Sequence, residues 1–109
     1  MFAIETENLV EQLIQAEYKN ACKNYGEKFN SLHEGYAVLL EEVEEAKEQI
    51  ENIEVDICDV WRAIKNNASY IVEDNCKRLL NNIESCISEL AQVGAVVRKI
   101  RTTKDEEEE

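Results

Sequence analysis

Glu41-Glu42-Val43-Glu44-Glu45 sets four carboxylates within five residues, directly after the apolar run Ala37-Val38-Leu39-Leu40. On a helix turning ~100° per residue, Glu42 and Glu45 share one face and reach a common point. Carboxylates held this way repel one another, and an oxygen-seeking divalent cation is the simplest relief. Glu41, Glu44, Glu48 and Glu51 lie farther round and read as a solvated face. Two ligands do not make a site, so the chemistry depends on which further oxygen donors the fold brings up. Asp56 and Asp59 repeat the spacing, but Asp56 is 14 residues beyond Glu42, or ~21 Å along a straight helix. No glycine or proline marks a kink that would close that distance.

The elements that must position these groups are helical. The chain has 109 residues, no proline and three glycines, a composition of one helical domain rather than of a turn-rich sandwich or barrel. Glu5 to Tyr25 reads as a first helix, with Leu9, Val10, Leu13, Ile14, Ala21 and Cys22 inward and Gly26 as its stop. Ser31 and Glu34 form a capping-box pattern that opens a second helix at Leu32. Its apolar residues repeat every seven: Tyr36, Val43, Ile50, Ile57 and Ile64 in one column, Leu39, Ala46, Ile53 and Val60 in another. Unbroken to Asn66, it would span ~50 Å, which calls for an equally long partner.

Val72, Cys76, Leu79, Ile83, Cys86, Leu90, Val93, Val97 and Ile100 supply that partner, after the short polar connection Lys65 to Ser69. The expected fold is therefore all-α: three main helices, the last two forming a long antiparallel hairpin. Leu40, Trp61, Leu80 and Ile87 widen the apolar surface beyond what the first helix covers. A homo-oligomer is accordingly expected to complete the bundle. Residues 1–101 form the helical domain, and 102–109 an acidic tail expected to be disordered. Pairing the hairpin about residue 67 sets Glu89 opposite Glu45, with Gln92 one turn farther along the same flank.

Charge and cysteine usage narrow the function. Twelve basic against 24 acidic residues give −12, of which Asp105 to Glu109 supply −5. With no basic stripe to release counterions, direct nucleic-acid binding is not expected. No apolar run spans a bilayer, and Met1-Phe2-Ala3-Ile4-Glu5 lacks the regions of a signal peptide. A cytoplasmic protein without a membrane partner follows as the expectation. Cys22, Cys58, Cys76 and Cys86 have no C-x-x-C spacing, and His33 is the single histidine, so a structural zinc site is disfavoured. His33 reads as structural, and Tyr36 as core rather than as a base-stacking ring.

His33 to Glu45, together with Ser88-Glu89-Leu90-Ala91-Gln92-Val93-Gly94-Ala95-Val96-Val97, resembles the MazG-like, all-α nucleoside triphosphate pyrophosphohydrolase superfamily, particularly its short phage-type members. The resemblance covers roughly residues 26–101. It implies that an E-x-x-E motif and an E-x-x-D motif on neighbouring helices hold Mg2+ against a nucleotide. Glu42 and Glu45 match the first motif; the second matches at Glu89, with Gln92 replacing its acidic partner. The implied metal set is Glu42, Glu45, Glu89 and Gln92, with Glu41 beside Glu42 and Glu45 as a catalytic residue that orients water. Lys23, Arg98 and Lys99 are the candidates to contact the phosphates.

Gln92 offers a neutral carbonyl oxygen, adds no charge and cannot act as a general base. Three readings therefore stand: a hydrolase that releases pyrophosphate, an inactive relative that binds or sequesters a nucleotide, and an acidic helical interaction protein.

Overall fold

The computed structural model describes residues 3–107, with side chains described through Thr103. The described residues form three helices that pack against each other: α1 (Ile4–Tyr25), α2 (Leu32–Lys65) and α3 (Ser69–Glu107). None is long and apolar enough to cross a membrane. The chain divides into two compact units, one of Met1–Val43 with Leu90–Glu109, the other of Glu44–Glu89.

Local chemistry sets the helix ends. Gly26 ends α1 at φ 90°, its N–H bonded to the Cys22 carbonyl at 2.9 Å, a conformation that costs glycine little. The Ser31 hydroxyl accepts the Glu34 N–H at 3.1 Å, as a capping box requires. The Glu34 carboxylate, however, accepts from the Asn30 N–H and side-chain amide instead of the Ser31 N–H. At the far end of α2, Ala68 N–H bonds to Ala63 O and Asn67 N–H to Ile64 O, with Asn67 at φ 54°. This is a Schellman ending with asparagine in the left-handed position.

In the first unit, close approach defines the packing. A Cβ on Gly94 would sit 3.1 Å from Ile14, and one on Gly35 would sit 2.8 Å from Ile100 and 3.0 Å from Phe29. Ala91, Ala95, Lys99 and Thr103, four residues apart along α3, form a buried row. Thr103 is only 2% exposed; its hydroxyl takes the Phe29 N–H at 2.9 Å and bonds to the Lys99 carbonyl at 2.9 Å. Helix α3 consequently runs past Thr102, where a disordered tail was expected to begin, through Glu107; residues 108 and 109 lie outside the described residues.

In the second unit the interior is part polar. Ala46, Ala63 and Cys86 are buried, and so are Asp56 and Asn75. Arg78 bridges Asp56 and Asp59 at 3.0 Å each, while the Asn82 amide bonds to Asp56. Asn75 donates to the Asp59 carbonyl at 3.2 Å. The pairs Asp56–Arg78 and Asp59–Asn75 are both centred on residue 67.

The apolar seam differs from the sequence expectation. Tyr36, Ile50, Ile57 and Ile64 of the expected inner column are exposed, as are Leu90 and Val97 on α3. On α2 the inward column is instead Glu42, Gln49, Asp56 and Ala63, half-buried or buried, beside Leu39, Ala46, Ile53 and Val60. Small residues allow helices to approach closely, and bonded polar groups fill places that a count of large apolar residues overlooks.

Candidate functional site

Glu42 and Glu45 stand one turn apart on α2, held there by an unbroken helix. Glu45 is exposed and Glu42 half-buried. A ligand oxygen of Glu45 lies within 4.8 Å of one on Glu42, its neighbour on the same helix, and within 4.8 Å of one on Glu89 of α3. The Oε2 atoms of Glu42 and Glu89 are shielded from solvent. Glu45 and Glu89, both in the second unit, offer the charged oxygen donors that a hard cation such as Mg2+ or Ca2+ takes. The donor chemistry thus fits a hard divalent cation.

Glu42 also belongs to the wall of a cavity of about 550 Å³ that lies within the first unit. That volume is in the range of small-molecule sites, roughly 300–1,000 Å³. Gln92, Ala95, Val96 and Lys99 line it from α3, Val38 and Glu34 from α2, and Lys28, Phe29 and Asn30 from the connection between α1 and α2. The remaining wall is α1, through Glu17, Asn20, Ala21, Asn24 and Tyr25.

Lys99 is the buried cation of this cavity, whose wall also carries Lys28 and the carboxylates of Glu17, Glu34 and Glu42. It is 7% exposed, and its ammonium sits 4.4 Å from the centroid of the Phe29 ring. Among the described residues it makes no ion pair or side-chain hydrogen bond. The ring face offers a cation part of what water would, yet a buried ammonium is fully stabilised only by an anion. A phosphoryl or carboxylate group entering the cavity supplies one.

The other sequence candidates fall elsewhere. Lys23 and Glu41 are exposed, and neither lines the cavity. The Arg98 guanidinium bonds to Gln15 of α1. Asp56 and Asp59 are engaged by Arg78 and Asn82, as positions in an ion-paired network rather than as cation ligands. His33 is exposed at the start of α2. Trp61 is 57% exposed with the Lys65 ammonium 5.6 Å from its ring.

Of the α1 wall, sequence reading placed only Ala21 inward. Glu17, Asn20 and Asn24 are spaced by three and four, so they share a helix face, but as polar residues they look like a solvated surface. The available signal was the run Glu17 to Asn24 itself, where Ala21 and Cys22 are the only apolar residues beside Tyr18. The chain matches no protein-family model, no characterised protein and no solved structure, so any functional reading rests on these residues and their geometry.

Proposed function

We propose that this protein is a magnesium-dependent, MazG-like nucleoside triphosphate pyrophosphohydrolase that releases pyrophosphate from a nucleotide held in the cavity of the first unit. The observation that carries the reading is that one cavity is lined both by Glu42, a member of the carboxylate group, and by the buried, unsalted Lys99. A nucleoside triphosphate asks for both: an ammonium for its phosphate oxygens and carboxylates for the cation that accompanies them.

When bound, Mg2+ would neutralise phosphate charge and acidify a water. Glu42, Glu45 and Glu89 would hold it, and Gln92 would add a neutral oxygen. Lys99 would orient the polyphosphate, and its burial keeps that charge unscreened. Attack of that water at the α-phosphorus forms a new P–O bond and releases a proton to solvent, while the bond from the α-phosphorus to the bridging oxygen breaks and that oxygen departs with the electron pair, giving a nucleoside monophosphate and pyrophosphate.

A second reading rests on Gln92, which lines the cavity where the resemblance puts a carboxylate. A neutral amide there weakens cation binding and leaves no base, as in a protein that sequesters a nucleotide without cleaving it. We also read residues 44–89 as an antiparallel helical hairpin whose exposed apolar flank is covered by a second copy. The pairs centred on residue 67 and the exposed Ile50, Ile57, Trp61, Ile64, Leu80 and Ile87 support this.

Incubation of the protein with Mg2+ and a panel of nucleoside triphosphates tests the main reading. Monophosphate and pyrophosphate should appear in equal amounts, and Glu45→Gln should lower the rate by ~10²-fold or more with helicity unchanged. Binding without products selects the sequestering reading. Orthophosphate as the first product would refute the proposed bond cleavage.

A further inference from the structure

The α1 wall of the cavity is polar where a helix that only closes a core would be apolar. Ile14 meets that packing demand one turn earlier, against Gly94. From Glu17 onward the cavity side of α1 carries Glu17, Asn20 and Asn24 around the small Ala21. Glu17 is half-buried and among the described residues has no ion pair. The same cavity holds the nine-tenths buried Lys99 without a counter-anion among the described residues. Polar groups on one wall and an unneutralised cation on another fit a ligand with a hydrogen-bonding part and an anionic part.

The side-chain types on α1 constrain that hydrogen-bonding part. An ionised carboxylate only accepts hydrogen bonds, so a ligand group that meets Glu17 must be a donor. Cytosine and adenine present one in their exocyclic amino groups, whereas uracil and hypoxanthine place a carbonyl oxygen at the corresponding position. Oxygen against carboxylate leaves both acceptors without a partner in a partly dry site, which is strongly unfavourable. Asn20 and Asn24 each donate and accept, so they can bond either kind of base and do not decide between them.

We propose that the cavity selects nucleotides whose base carries an exocyclic amino group, with Glu17 as the residue that reads it. This rests on the nucleotide reading above and adds the class of base to it. Selection acts through Glu17 on α1, which is not among the residues proposed to hold the cation, so it is separable from turnover.

The test is calorimetric titration of the full chain with CTP, UTP, ATP and ITP, with Ca2+ in place of Mg2+ to slow turnover. CTP and UTP, like ATP and ITP, differ at the critical position by amino against oxo. Within each pair that binds, the amino nucleotide should bind at least about tenfold more tightly. Glu17→Gln, whose amide also donates, should bring each ratio to within about twofold while leaving helicity and the affinity for inorganic triphosphate unchanged. Equal affinities in the wild type, a preference for the oxo bases, or a preference that survives Glu17→Gln would each overturn the assignment while leaving the nucleotide reading intact. Failure of all four nucleotides to bind would remove the nucleotide reading and this inference together.

Discussion

At the scale of single residues, the chain treats its acidic groups in two different ways. Asp56 is 4% exposed yet fully bonded: the Asn82 amide holds its carboxyl below the usual aspartate range, burial opposes that shift, and Arg78 adds to the lowering through a hydrogen bond and its charge. A buried ionic network of this kind is weak evidence for net stability, but it specifies which residues face each other. Glu45 and Glu89, by contrast, bring carboxylate oxygens together. Because the folded pKa of Asp56 lies below its unfolded value, its contribution is fully present above about pH 3.8 and is lost as pH falls through the lower folded value. Urea denaturation across that acid range should therefore show stability declining more steeply in the wild type than in Asp56→Asn. Identical acid slopes would mean that Asp56 is not the group responsible.

At the scale of elements, the helix ends were legible because they are written in short-range chemistry. Gly26 after α1, Ser31 before α2 and the polar connection before Ser69 all end or begin helices as their residue types require. The inward faces were harder to read. Sevenfold spacing marks Ile50, Ile57 and Ile64 as a column, but the column is exposed, because the interior is filled by Ala46, Ala63, bonded Asp56 and buried Asn75. A pattern based on large apolar residues finds the face that most needs a partner, which here is not the face turned inward within the chain. Ile50, Ile57, Trp61, Ile64, Leu80 and Ile87 expose on the order of 600 Å² per copy, so pairing two copies buries on the order of 1,200 Å², the lower edge of specific interfaces. Sedimentation should accordingly give at least a dimer, and Ile57→Glu should move the mass towards the monomer while helicity persists. A monomeric wild type at tens of micromolar would refute a self-covering flank.

At the scale of the whole molecule, a charge of −12 repels phosphate-rich polymers, and the proposed small-anion ligand relies on one buried cation, Lys99. The opposition of Glu45 and Glu89 was legible by pairing the chain about residue 67, since helical rise is regular and the connection is short. The cavity was not, because its α1 wall consists of polar residues with no apolar period, and Lys99 looks like any surface lysine until Phe29 and the row Ala91, Ala95 and Thr103 are seen around it. The proposed function requires that Mg2+ and a nucleotide bind this chain together. Its most direct test is nucleotide affinity measured as a function of Mg2+ concentration, for the wild type and for Glu45→Gln and Glu89→Gln. The account expects Mg2+ to tighten wild-type binding at least about tenfold, and expects either substitution to abolish most of that gain while leaving Mg2+-free binding unchanged. Binding indifferent to Mg2+, or a Mg2+ effect retained in both variants, would contradict it.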